Sequence, residues 1–152
     1  MHRIVIPDTS TLIVFSKIGR LELLNSIYGK LTTTPQIAEE FKEPLPEWIL
    51  IQEVTDKKNL EILLTQIDPG EASAIALAKE SSDVLLLMDD LKARKLARQL
   101  NLKITGALGI IYKAKQLQKI DRVKPVIEEI FKTNFHISAH IVDEILKLNN
   151  EL

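Results

Sequence analysis

The sequence predicts an α/β protein of three layers, with helices on both faces of a central, mostly parallel sheet of four to five strands. Two observations carry that prediction. Two short runs, Ile4-Val5-Ile6 and Val84-Leu85-Leu86-Leu87-Met88, are apolar at successive positions. A strand buried on both faces reads this way, whereas one with a wet face alternates. Helical stripes recur between and after these runs, and strands alternating with helices favour a parallel sheet joined by right-handed crossovers.

Taken in order, the first strand ends at Pro7-Asp8. Leu21, Leu24 and Ile27 share a helical face. Residues 31–33 form a short strand. Thr34 and Pro35 then open a helix as cap and first residue, with Ile37 and Phe41 inward. The stretch Glu43-Pro44-Leu45-Pro46-Glu47 is a loop, because two prolines forbid a helix interior. Residues 49–54 are a strand candidate, and Leu60, Leu63, Leu64 and Ile67 make a helical stripe. Residues 70–79 form a helix whose Ala72, Ala74, Ala76 and Ala78 permit close approach to its neighbours. After the second apolar run, residues 92–100 are an amphipathic helix with Leu96 and Leu100 inward, and 103–105 are a strand. Helices over 108–117, 123–131 and 137–148 complete a single domain spanning 1–152.

The 152 residues suffice for a sizeable core. Composition is that of a globular domain, 45% hydrophobic and 27% charged. With 20 Lys+Arg against 21 Asp+Glu the net charge is -1, so bulk charge announces neither a nucleic-acid nor a membrane-surface binder. The absence of cysteine excludes disulfides, thiolate metal sites and a thiol nucleophile. No stretch approaches the ~18–20 apolar residues of a membrane helix, and the apolar run in residues 1–8 is too short for a secretion signal. The expectation is a cytoplasmic protein. Of the histidines His2, His136 and His140, the last two are four apart, but a zinc site needs a third ligand.

The chemistry lies in the acids. Ligands of open α/β sheets bind beyond the carboxyl ends of the strands, and both apolar strands end there in aspartate. Asp8 is followed by Thr9-Ser10-Thr11, and Asp89 and Asp90 close the other strand. Glu40, near the buried face of its helix, and Glu71, at the start of the alanine-rich helix, are placed to join them. Each pair of carboxylates about 4 Å apart repels by on the order of 4 kcal/mol at an effective dielectric of ~20. Either some are protonated or a cation neutralises them, and all-oxygen ligands favour Mg²⁺ or Mn²⁺. Such ions support hydrolysis of phosphodiesters. Plainer roles compete. Asp8 and Asp90 suit helix N-caps, Asp68-Pro69-Gly70-Glu71 has capping-box spacing, and Glu40 beside Glu39 suits a solvated face.

Four segments in order resemble the motifs of the PIN-domain family, metal-dependent ribonucleases that include the VapC-type toxins. They are Ile4-Val5-Ile6-Pro7-Asp8-Thr9-Ser10, Pro35-Gln36-Ile37-Ala38-Glu39-Glu40-Phe41, Gly70-Glu71-Ala72-Ser73-Ala74-Ile75-Ala76 and Leu86-Leu87-Met88-Asp89-Asp90. Ala93-Arg94 and Leu102-Lys103-Ile104-Thr105-Gly106 continue the likeness, most closely to a prokaryotic branch often left as a domain of unknown function. The resemblance implies a PIN-like fold, with Asp8, Glu40, Glu71 and Asp90 as the catalytic acids. It implies Mg²⁺ or Mn²⁺ on Asp8, Glu71 and Asp90, with Asp89 as a substitute, and Thr9 or Ser10 bracing Asp8. It also implies endonucleolytic cleavage of single-stranded RNA, an antitoxin partner and a homodimer.

Lys92, Arg94 and Arg98, with Lys95 on the same helix, are the candidate substrate-binding cations, since a nucleic acid needs charge along its backbone. Lys113, Lys115 and Lys119 form a weaker set, and Trp48, Tyr28 and Tyr112 suit base stacking or core packing. Two other functions remain open. An aspartyl-phosphate phosphatase of the haloacid-dehalogenase type places a second Asp two residues after the first, where this chain has Ser10. A non-catalytic PIN-like interaction module would use the acids as caps and gain little stability from metal.

Overall fold

The computed structural model describes residues 4–152; Met1 to Arg3, His2 among them, lie outside the described residues. The strands β1 (Ile4–Pro7), β4 (Val84–Leu87) and β5 (Lys103–Thr105) form a parallel three-stranded sheet in the order β1-β4-β5. Pro7 stands opposite Leu87, and Leu87 opposite Thr105, so the three carboxyl ends are level. β2 (Leu31–Thr33) and β3 (Ile49–Ile51) pair in parallel as a second sheet.

β2 lies beside β1 but is not paired with it, so the expected sheet divides into three strands and two. The chain chemistry accounts for the gap. The N–H groups of Ile4 and Asp8 point to β4, bonding Asp83 and Leu87 carbonyls at 3.3 and 2.9 Å. The odd-numbered positions therefore face β2, and one of them is Pro7, which has no N–H. Reading the neighbours across the gap gives the sequence 3-2-1-4-5, whose reversal falls between β1 and β4. Ligands of doubly wound sheets gather at that switch point.

Helices cover both faces. α5 (Pro69–Lys79) packs on β1 and β4 and is flanked by α3 (Pro35–Phe41), α4 (Lys57–Leu64) and α6 (Leu91–Gln99). Its buried Ala72, Ala74, Ala76 and Ala78 allow the close packing expected of them. A 2.6 Å hydrogen bond between the hydroxyls of Ser73 and Thr34 ties the cap of α3 to α5. On the other face α2 (Leu21–Tyr28) and α7 (Ala107–Gln116) cover Val5 and Leu85. α8 (Val123–Phe131) and α9 (Ala139–Leu148) pack on α7. Among the described residues no helix is long and apolar enough to cross a membrane.

Several boundaries differ from the sequence reading. α1 (Thr9–Lys17) follows β1 directly, a helix the periodic reading passed over although Leu12, Val14 and Phe15 form its buried stripe. β3 stops at Ile51 rather than at residue 54. Along α6 the fully buried residues are Ala93 and Ala97, with Leu96 and Leu100 only half-buried. Leu64 of α4 is exposed, and Ile67 is buried beyond the end of that helix.

Candidate active site

Asp8 is the innermost of the acids. It caps α1, its Oδ1 accepting from the Thr11 N–H at 2.8 Å, and it is only 1% exposed. Thr11 Oγ1 donates in turn to the Leu87 carbonyl at 3.2 Å, fixing this turn to the end of β4. Burial pushes the Asp8 carboxyl up to about 6; the Thr11 bonds oppose the shift and the charges of Asp89 and Asp90 add to it. The hydroxyl residue bracing Asp8 is therefore Thr11. The expected ones do otherwise: Thr9 donates to Glu40 Oε1 at 2.6 Å, and among the described residues the exposed Ser10 hydroxyl makes no hydrogen bond.

Glu71 lies in the first turn of α5, half-buried. Its pKa rises to about 8, first through burial, then through the charges of Asp90, Asp8 and Asp68, and through a hydrogen bond with the Asp90 side chain. Asp68 occupies the cap position of α5 but makes no side-chain capping bond, so the capping box that the spacing suggests does not form. Asp90 caps α6, Oδ2 accepting from the Ala93 N–H at 2.9 Å. Capping and membership of the acid group coexist in Asp8 and Asp90, as one carboxylate can serve both.

Glu40 reaches the group from the exposed side of α3. A Cβ added to Gly70 would collide with Glu40 Oε1 and stand 2.9 Å from Thr9 Oγ1. The missing side chain lets the first turn of α5, with Glu71, close against α1 and α3. The structure thus links all four predicted catalytic acids: Glu40 touches the residues following Asp8 and preceding Glu71, and Glu71 reaches Asp90. Gly70 and Thr11 were not singled out from the sequence. A glycine in the first turn of a helix, where it weakens helix formation, was the available signal for the first.

Asp89 has a different environment from Asp90. Its Oδ2 accepts from the Ala107 N–H at 2.8 Å, capping α7 from across the sheet edge. Its Oδ1 faces Arg94 Nη1 at 4.0 Å, and Arg94 also donates to the Met88 carbonyl at 3.1 Å. Gly106 is needed here, since a Cβ would run into Asp89 and the Arg94 guanidinium. Burial raises the Asp89 pKa, while the Ala107 bond and Arg94 lower it.

The predicted cations part company along α6. Lys92 lines a cleft of about 330 Å³ with Asp68, Glu71 and Asp90. Arg94 and Arg98 line a separate groove with Asp89. Tyr28 and Trp48 lie toward the opposite edge, where the Trp48 carbonyl accepts from Leu31 at the start of β2. Both pack on the core, and burial raises the Tyr28 hydroxyl to about 12. His140 pairs with Glu144 on the exposed side of α9 at 3.3 Å.

Among the described residues no three acids or histidines form a ready-made metal cage. The donor set nevertheless fits a hard cation. It is all carboxylate oxygen, and the mutual repulsion seen at Glu71 and Asp8 is what a divalent ion relieves.

Fold and site together define a class: a parallel α/β protein with an acid-lined switch point. A model of the PIN-domain family matches residues 4–151, and the chain belongs to that family. No curated protein matches it. PIN domains have a nuclease-type fold, generally act as hydrolases of nucleic acid, and typically use divalent metals.

Proposed function

We propose that the protein is a Mg²⁺- or Mn²⁺-dependent endoribonuclease acting on single-stranded RNA. The observation that carries the reading is the meeting of Glu71 with Asp90, joined by a side-chain hydrogen bond, near the buried Asp8 at the carboxyl edge of β1 and β4.

Asp8, Glu71 and Asp90 are the residues to hold the ion, with Glu40 beside them and Asp89 as the remaining candidate. A bound divalent ion would supply positive charge for activating water and for stabilising the phosphate in an in-line displacement. The chain provides the rest. Asp8 is held by the Thr11 N–H. Glu71, hydrogen-bonded to the Asp90 side chain, releases its proton as the pH rises through about 8. Glu40 has Oε1 engaged by Thr9, which leaves Oε2 to accept from a water. Lys92 faces the same cleft and offers its ammonium to a phosphate oxygen.

The finer reading is the toxin of a toxin–antitoxin pair, working in the cytoplasm as a homodimer. It is supported by the likeness of the four acidic motifs to VapC-type proteins. Growth arrest on expression, relieved by a neighbouring small gene, is its test.

The enzymatic test is cleavage of a mixed-sequence single-stranded RNA by the purified protein, with Mn²⁺ or with EDTA, beside Asp8→Asn. Cleavage that needs both Mn²⁺ and Asp8 is expected. Cleavage by Asp8→Asn in Mn²⁺ would overturn the site. Absence of both cleavage and a Mn²⁺-induced rise in Tm would leave a PIN-like interaction module instead.

A further inference from the structure

We propose that the groove between α6, the β5–α7 junction and α9 is a nucleobase-binding subsite, which takes an unpaired base next to the phosphate held at the acids. The proposal rests on the nuclease reading and adds where the strand runs and what it is read by.

Position is the first argument. Asp89 lines this groove, and Asp90 lines the acidic cleft on the other side of α6. Consecutive Cα atoms are only about 3.8 Å apart, so the two concavities flank the same turn at the start of α6. A strand laid across that turn places a phosphate in one and its neighbouring base in the other.

The chemistry of the walls is the second. The groove encloses about 620 Å³ and is floored by Ile104, Leu108, Ile137 and Ile145. That size lies within the usual range for small-molecule sites. At its rim Leu91, first residue of α6, is 82% exposed, and Ile141 of α9 is 47% exposed. Apolar walls with a few polar edges suit a flat, partly apolar ring that also carries hydrogen-bonding groups. Unpaired bases are held this way, by stacking and by contacts along their edges.

Charge decides between RNA and a protein segment. The groove contains one carboxylate, Asp89, which is already matched by the Ala107 N–H and Arg94. Arg98 also lines it, and its guanidinium makes no hydrogen bond or ion pair among the described residues. Arg94 is held in place by the Met88 carbonyl, so its guanidinium plane is fixed beside the cavity. A fixed guanidinium and an uncommitted one fit a base with its phosphates. A purely apolar partner would leave Arg98 unmatched.

The test uses the full chain and two fluorescein-labelled oligoribonucleotides, one of mixed sequence and one of the same length with abasic riboses. Both are titrated by anisotropy in EDTA, against wild type and Leu91→Ser/Arg98→Ala. Both changed side chains are exposed, and circular dichroism confirms folding. Wild type is expected to bind the abasic strand about tenfold more weakly, the lower end of the range for one stacked base. The double variant is expected to lose at least tenfold on the normal strand and to bind both strands alike. Equal wild-type affinity for the two strands, with Mn²⁺-dependent cleavage intact, would overturn the subsite and leave the nuclease standing. A variant that keeps the base preference would do the same. Loss of a concentration-dependent dimer in the variant, with RNA affinity unchanged, would assign the groove to a protein contact and likewise overturn it. Cleavage is measured on the same samples, so failure of the nuclease reading is seen separately.

Discussion

Carboxylates in two parts of this molecule have opposite environments. At the carboxyl edge of β1 and β4 the acids are pushed toward neutrality: Asp8 to about 6, Glu71 to about 8, and Asp89 upward. Elsewhere Glu80, Glu129 and Glu151 are held below their ordinary value. Glu129 is lowered chiefly by its hydrogen bonds with Arg20, at 3.1 and 3.2 Å. Burial alone would raise Glu151, but the N–H groups of Lys124 and Val123, with Arg122 nearby, outweigh it. These acids staple α8 to α2 and to the end of α9. The edge acids have too few donors for their charge. Asp8 has one backbone N–H; Glu71 has other carboxylates. One group stabilises the fold as it stands, and the other destabilises it when ionised.

The largest test of that contrast is Asp8→Asn. An acid whose folded pKa is raised favours folding while protonated, so its contribution is full below 3.8 and is lost as the pH rises to about 6. At pH 7.5 the loss is about 3 kcal/mol. Asparagine keeps the cap and carries no charge. In EDTA at pH 7.5, Asp8→Asn should therefore melt roughly 6–12 °C above wild type. In saturating Mn²⁺ the gap should close or reverse, because only wild type gains stability by binding. A lower Tm for Asp8→Asn in EDTA would show that the Asp8 charge is not a strain on the fold.

Asp89 and Asp90 sharpen the contrast to neighbouring residues. Asn at either position retains an acceptor for the N–H it caps, so each variant should stay within about 1 kcal/mol of wild type without metal. The Mn²⁺-induced rise in Tm should survive in Asp89→Asn and fall by more than half in Asp90→Asn. Equal losses would place both carboxylates on the ion.

Gly70→Ala probes the packing that brings Glu40 to the group. Alanine improves helix propensity by about 1 kcal/mol, and the atoms it strikes are the end of an exposed glutamate and the Thr9 hydroxyl, both of which can rotate away. Stability should be nearly unchanged. RNA cleavage should drop about tenfold, as Glu40 is displaced from Thr9. Full activity in Gly70→Ala would remove Glu40 from the machinery.

Much of this arrangement was legible in the sequence. Uninterrupted apolar runs marked β1 and β4 and hence the edge where Asp8 and Asp90 stand. Thr34-Pro35 marked the start of α3, and the alanines marked α5. What the sequence hid was long-range. Asp89 caps α7 from 18 positions away, and no local spacing shows that. The break between β1 and β2 depends on which neighbouring strand Pro7, lacking an N–H, faces, a matter of register. α1 starts directly after β1 with no loop between, and its cap and first turn are Asp8 and Thr11, so its buried stripe of Leu12, Val14 and Phe15 follows the strand's apolar run with little to separate the two patterns. Arg94 and Lys92 looked equivalent as charges, and burial separated them.

The smallest expected effect comes from the other set of acids. Glu80 ends α5 and accepts from the Thr55 N–H at 3.0 Å, the Thr55 hydroxyl at 2.6 Å and the Asp56 N–H at 2.9 Å. It thereby holds the loop that leads into α4. Although burial raises its pKa, these bonds outweigh it and the net shift is downward. Its contribution is present above 4.5 and is lost as the pH falls below that value toward the lowered folded one. Glu80→Gln leaves one acceptor oxygen and turns an N–H₂ toward backbone donors. The variant should melt slightly below wild type at pH 7, since the site is exposed and screened. The difference should shrink on acidification below pH 4.5; the Asp8→Asn difference in EDTA also shrinks, as the pH falls through about 6, but from the opposite sign, that variant being the more stable one at pH 7. Tm shifts of the same sign for the two variants at pH 7 would mean that the two sets of carboxylates do not differ in the way their surroundings indicate.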